Sequence, residues 1–259
     1  YFMKKYCFIQ HPTRGRIQFN LFPFQEKVLT LLNKNDRNII LKSRQLGIST
    51  LSAGISLWMM VFQKDKNVLV VATKQDTAKN LVTKVKYMYD NLPSWLQIGF
   101  VEKNKLALRL KNGSQIKAVS AASDAGRSEA ISLLIIDEAA FIEENRIEEI
   151  WGSSQQTLST GGKAIVLSTP NGTGNFFHRM WIKAEEGSNG FVPIRLPWTV
   201  HPERDEKWRQ QQDDELGLRM AAQECDCDFT TSGNVVFESE MMNFIESTNI
   251  CEPIEKRGI

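Results

Sequence analysis

The stretch LKSRQLGIST, residues 41–50, decides the fold. It ends an apolar, β-branched run, RNIILKS (37–43), and leads into STLSAGISLWMMVF (49–62), which is apolar on nearly every face. A buried strand that turns through a glycine into a buried helix is the context in which phosphate-binding loops occur. Their usual spacing is Gly, four residues, then Gly-Lys-[Ser/Thr]. Aligned on Gly47 and Ser49, this chain has Ile48 at the lysine position and Lys42 at the first glycine position. Such loops work because backbone N–H groups and a helix N-terminus converge on phosphate oxygens while a lysine offsets their charge. The candidate nucleotide-binding residues are therefore Lys42, Ser43, Arg44, Gln45, Leu46, Gly47, Ile48, Ser49 and Thr50, with the Ser49 hydroxyl placed to ligate Mg²⁺. A plain strand-to-helix turn has the same local pattern, so the loop alone does not settle the matter.

Three further apolar runs read as buried strands of a parallel sheet, continuous rather than alternating: NVLVVAT (67–73), SLLIIDE (132–138) and KAIVLST (163–169). Ala78, Leu81, Val82, Val85 and Met88 fall at helical spacing, with Lys79, Lys84 and Lys86 outside that face. LALRLKNGSQIKAVS (106–120) reads as a hairpin turning at Asn112-Gly113. Strands alternating with helices imply an α/β, doubly wound, mostly parallel sheet flanked by helices. Beyond Trp198 the pattern becomes helical and acidic. The expected organisation is a core over residues 1–198, then a small helical subdomain and linker over 199–259.

A second motif lifts the loop above a plain turn. LLIIDEAAF (133–141) is a buried strand ending in two adjacent carboxylates, and buried acids at the C-terminal edge of a sheet usually face a ligand. In that arrangement Asp137 holds Mg²⁺ and Glu138 orients and deprotonates the attacking water. LSTPNG (167–172) places the Ser168 and Thr169 hydroxyls at another strand end, where they either sense the terminal phosphate or form a polar turn. Arg44 in the loop and Arg127 in DAGRSEA are candidates to spread the charge of the transition state.

Bulk properties exclude several classes. No run approaches the roughly 18 apolar residues of a membrane span. The N-terminal residues carry no apolar run of secretory type, and both ends read as internal to a longer protein. Cys7, Cys225, Cys227 and Cys251 are too few and too irregular for a disulfide framework, which points to a reducing cytoplasm; Cys225 and Cys227 are expected as small buried residues at a helix end. Residues 1–130 carry 21 Lys+Arg against 8 Asp+Glu, and residues 131–259 carry 11 against 22, so the net charge of +2 hides a basic half beside an acidic half. Contact with a polyanion fits that asymmetry, and so do ordinary solvated faces.

Taken in order, these pieces resemble the ATPase domain of the large terminase subunit of tailed double-stranded DNA phages, closest to the large contractile-tailed phages. LFPFQEKVL (21–29) is similar to the family's adenine motif, with Gln25 as reader; SRQLGIST (43–50) resembles its Walker A loop; LLIIDEAAFI (133–142) its Walker B segment; LSTPNGTGNFF (167–177) its coupling motif. AAQECDCDFTTSGNVVF (221–237) is similar to the Gln-Glu…Phe…Ser-Gly pattern that follows the core. The resemblance implies a RecA/ASCE-type P-loop NTPase that hydrolyses ATP with Mg²⁺ to drive double-stranded DNA through a portal protein into a preformed capsid. It implies work as a ring of subunits in the infected host's cytoplasm, with a small terminase subunit as partner, though an isolated fragment can be monomeric. It also implies that Arg44 acts in cis and Arg127 toward a neighbouring subunit. The family's nuclease domain has no counterpart in this stretch, so the chain is not expected to cut DNA. Ile48 departs from the closest relatives; other members carry their lysine at the head of the loop, where Lys42 stands, and a lysine stem is long enough to reach back over the loop. The lysines at 64–86 and 103–117 are candidates for backbone-directed DNA contact. Two other readings stay open: a helicase-like translocase, and a catalytically silent assembly subunit whose support is Ile48.

Overall fold

The computed structural model describes residues 1–121, 130–158 and 161–230. Helix α1 (Phe2–Tyr6) and an antiparallel ribbon of β1 (Phe8–His11) and β2 (Gly15–Gln18) precede α2 (Pro23–Lys34). Next come β3 (Arg37–Lys42), α3 (Ile48–Phe62), β4 (Asn67–Ala72) and α4 (Gln75–Asp90), then β5 (Phe100–Lys103), β6 (Ala107–Leu110) and β7 (Gln115–Ser120). They are followed by β8 (Leu133–Asp137), α5 (Glu144–Leu158), β9 (Lys163–Ser168), α6 (Phe176–Glu185), β10 (Val192–Leu196), α7 (Glu206–Leu216) and α8 (Leu218–Cys225).

Eight strands form one sheet in the order β10-β3-β9-β8-β4-β7-β6-β5. The six from β10 to β7 are parallel, and β6 and β5 add an antiparallel flap. Successive residues point to opposite faces. Ile40, Val70, Ile135 and Ile165 therefore enter the layer with α3 and α4. Ile39, Val71, Ile136 and Val166 enter the opposite layer, against Ile147 of α5 and Phe177 and Trp181 of α6. Each fully buried aliphatic contributes about 1.5–3 kcal/mol, which is why the central strands read as unbroken apolar runs. Because the six strands run in one direction, the segments after β3, β4, β8 and β9 all emerge at one edge.

The four strands expected from the apolar runs are present to within a residue at each end. The expected hairpin is β6–β7, turning through Asn112 and a left-handed Gly113 (φ 86°). β7 also pairs in parallel with β4, so half of the hairpin belongs to the core sheet. The apolar run does not mark β10, whose residues include Pro193 and Arg195. It lies at the sheet edge, where the missing N–H of a proline is tolerated. Lys79, Lys84 and Lys86 depart from the expectation of a solvated face: all three are half-buried on α4.

Beyond Trp198, α7 and α8 form a helical pair, joined by Arg209 to Asp226 through two hydrogen bonds of 3.0 and 2.8 Å. Cys225 closes α8, and Cys227 is buried with its thiol donating to the Leu196 carbonyl at 3.3 Å, as small residues at a helix end. Residues 195–227 pack onto the strand edge that carries the loop. Among the described residues no helix is long and apolar enough to cross a membrane. Arg127, Cys251 and the segment from residue 231 onward lie outside the described residues.

Candidate nucleotide-binding site

The loop between β3 and α3 is shaped by two left-handed residues, Gln45 (φ 59°) and Gly47 (φ 71°). The consequence is a row of backbone donors: among the described residues, the N–H groups of Gln45, Leu46, Gly47, Ile48, Ser49 and Thr50 have no hydrogen-bond acceptor. Unsatisfied N–H groups at the N-terminus of a fifteen-residue helix are the features of a candidate anion site, which the helix dipole favours. The glycine is required for a second reason. A Cβ at Gly47 would lie 2.7 Å from Gln25 Nε2.

The rest of the loop is tied down from distant parts of the chain. Ser43 N–H donates to the Leu196 carbonyl at 2.8 Å, and Arg44 N–H donates to the Glu224 carbonyl at 2.8 Å. Ser43 Oγ donates to the Glu224 carbonyl at 3.1 Å. The Arg44 guanidinium meets the Glu224 carboxylate at 3.1 Å and faces α8 in this state. The other oxygen of Glu224, Oε2, is buried with no partner among the described residues. Gln25, expected to read adenine, is 4% exposed and engaged with backbone at both ends. Its Nε2 donates to the Leu46 carbonyl at 2.9 Å, and its Oε1 accepts from Phe22 N–H at 3.1 Å, closing the start of α2.

The acid strand arrives beside the loop. Ser49 Oγ donates to Asp137 Oδ2 at 2.7 Å, across 88 positions of sequence. Asp137 is the last residue of β8, 7% exposed, and its Oδ1 accepts from Glu138 N–H at 3.0 Å. Glu138 is left-handed (φ 57°), a conformation that costs a non-glycine residue roughly 1–3 kcal/mol and tends to occur where function requires it. That turn swings the Glu138 carboxylate toward the end of β4, where Thr73 Oγ1 lies 3.5 Å away. The Ser168 hydroxyl, fully buried at the end of β9, accepts from Ala140 N–H at 3.1 Å. Asn171 donates to the Ala140 carbonyl at 3.0 Å, so the 168–171 turn grips both sides of the segment that carries Glu138. Thr169 is buried beside it.

Two cation positions are informative. Ile48 is 1% exposed, so the side chain at the usual lysine position belongs to the core and faces no phosphate. Lys42 ends β3 at the mouth of the loop. Lys84, on α4, shares the same field: burial pushes its ammonium below the ordinary value, Asp137 opposes that, and Lys42 adds to it. Sequence reading missed Lys84 because its helical position looked solvated. A serine hydroxyl and a carboxylate are hard oxygen donors of the kind that suit Mg²⁺, which keeps most of its shell as water and phosphate. The pair therefore fits that ion.

A mostly parallel sheet with an anion-binding loop, a hydroxyl–carboxylate pair and an adjoining strained glutamate at one edge defines a P-loop NTPase domain. Residues 39–244 match the family model described as terminase large subunit, T4likevirus type, N-terminal, and the chain belongs to that family. Among solved structures, the large terminase ATPase domain of Thermus phage P74-26 superposes with a TM-score of 0.67 at 20% identity, covering 82% of this chain and 94% of that one. The large terminase of bacteriophage HK97 gives 0.71 at 18% identity over 87% of this chain and 53% of its own. The large terminase of a thermophilic bacteriophage, in complex with ADP, gives 0.60 at 14% identity over 79% and 52%. The chain thus spans about half the length of these last two large terminases. The resemblance read from the motifs is borne out, and the shared fold is that of a terminase ATPase domain.

Proposed function

We propose that this chain is the ATPase motor domain of a terminase large subunit, binding Mg-ATP at the β3–α3 loop and hydrolysing it to move double-stranded DNA into a capsid. The observation that carries the reading is the Ser49–Asp137 hydrogen bond of 2.7 Å beside six partnerless loop N–H groups. ADP bound to the large terminase of the thermophilic bacteriophage supports it. The loop amides receive the β- and γ-phosphates, with Lys42 supplying the ammonium that Ile48 lacks. Ser49 and Asp137 would hold Mg²⁺, which when bound offsets phosphate charge. Glu138 takes the proton from the attacking water. Arg44 reaches the terminal phosphate only after leaving Glu224, and Arg127 is assigned to a neighbouring subunit's nucleotide. Ser168 and Thr169 pass the loss of the phosphate onward through the Ala140 segment. The expected partners are double-stranded DNA, a portal protein, a small terminase subunit and further copies of this chain in a ring, in the cytoplasm of the infected host. Residues 1–198 form the catalytic core in this reading and 199–259 the subdomain and linker, with no nuclease activity of their own.

The test is Mg-ATP binding and phosphate release by the purified chain at high concentration, beside Lys42→Ala. Loss of most activity in a folded Lys42→Ala chain establishes the relocated lysine. No change moves that role to another cation. A wild-type chain that neither binds nor hydrolyses ATP favours the silent assembly subunit. Strand separation by the chain would favour the helicase-like reading.

A further inference from the structure

We propose that Arg204 is a positioning residue of the nucleotide site, a guanidinium that clamps the head of the phosphate loop from the C-terminal segment. It lies 160 positions from the loop, in the bend after Trp198–Val200. Its Nη1 donates to Ser43 Oγ at 3.2 Å and its Nη2 to the Arg44 carbonyl at 3.0 Å. Ser43 Oγ donates its own proton to the Glu224 carbonyl, so one chain of hydrogen bonds runs from Arg204 through the loop to α8. The flat face of the guanidinium lies over Trp208, 4.3 Å from the ring centre, which fixes the direction of its fork.

The chemistry here is unusual in one respect. Arg204 is half-buried, yet no carboxylate forms an ion pair with it among the described residues. A desolvated cation without a counter-ion is costly, and groups perturbed in this way cluster at functional sites. Burial lowers the affinity of Arg204 for its proton, consistent with that cost. The amides that have no acceptor among the described residues begin one residue after the carbonyl it holds. The same bend also carries His201, whose ring lies 4.6 Å from that of Phe22, the residue whose N–H donates to Gln25. One strap thus touches the phosphate loop and the start of α2 together. Arg204 holds the loop open as an anion site and adds to it a positive charge that no described carboxylate pairs with. This rests on the reading of the loop as an ATP site.

The experiment compares wild type, Arg204→Gln, Arg204→Lys and Trp208→Leu. It measures Kd for Mg-ATP and Mg-ADP at several salt concentrations, and amide hydrogen exchange across residues 43–51 without nucleotide. Arg204→Gln is expected to weaken both nucleotides about tenfold, to flatten the salt dependence, and to speed exchange of the loop amides while core strands keep their protection. Arg204→Lys keeps the charge and loses the fork, so it restores the salt slope but not the loop protection. Trp208→Leu leaves the cation in place and frees its direction; a loss of about threefold with faster loop exchange is expected, and this variant decides the matter if Arg204→Gln does not fold. A folded Arg204→Gln chain with wild-type affinity and salt slope overturns the proposal while leaving the ATP site standing. A wild-type chain that binds no nucleotide overturns the ATP reading instead.

Discussion

Gln25→Ala separates two roles that the motif and the geometry assign to one side chain. As a base reader, Gln25 would spend its amide on adenine. In the structure that amide joins the Leu46 carbonyl to Phe22 N–H, at 2.9 and 3.1 Å, in a site 4% exposed. Truncation removes two hydrogen bonds, each about 1 kcal/mol net, and strands a buried carbonyl at a further cost of roughly 1–2 kcal/mol. The expected loss of stability is about 3–4 kcal/mol, or roughly 6–16 °C in Tm for a domain of this size. Because the loop loses its clasp, ATP and GTP should weaken together, with their ratio unchanged. The assay is urea unfolding beside nucleotide titration with both bases. Unchanged stability together with a collapsed ATP-over-GTP preference would refute the clasp and restore the reader. Gln25→Glu sharpens the comparison, since a carboxylate still accepts from Phe22 N–H but cannot donate to Leu46.

Gly47→Ala is expected to cost roughly 2–3 kcal/mol, from the left-handed backbone and the displaced Gln25 amide, measured by urea unfolding. Glu138→Gln keeps size and hydrogen bonding but removes the proposed base, so phosphate release should fall about 10²–10⁴-fold while Mg-ATP affinity stays within a few-fold; equal turnover would assign the base elsewhere. Burial pushes the Cys7 and Cys227 thiols up from 9.0 to about 12. In the folded chain they stay protonated where the unfolded chain ionises, so stability should decline as pH rises from about 9 toward 12. Denaturation series at pH 8, 9.5 and 11 on wild type and Cys7→Ala/Cys227→Ala would show it, the variant losing less.

The buried parallel strands were legible because a strand covered on both faces admits few residues other than β-branched and aliphatic ones, as in Leu133–Ile136. The loop, the acid pair and Ser168 were legible because their chemistry is local. β10 was not, since Pro193 and Arg195 break the pattern and only the neighbouring β3 makes the segment a strand. Nor were Arg204, Glu224 and the true exposure of Lys84, which depend on contacts between distant stretches of chain. Gln25 was found for its motif, but its clasp on Leu46 follows from the 21-residue span between them closing in space. Ile48 looked like a deficiency in one dimension; in three it is a core residue, with cations gathered around the loop from other elements.

The loop's outside anchors carry one more consequence, for the order in which the molecule is made. Ser43 and Arg44 emerge in synthesis well before their partners Leu196, Arg204 and Glu224. Contacts of such separation are slow to close and cannot form on a growing chain before the later partner has emerged. A nascent chain can therefore assemble the sheet while the phosphate loop still lacks its clamp. On this reading competence for nucleotide waits for those later contacts, and a ribosome stalled before residue 204 would hold a phosphate loop without its clamp.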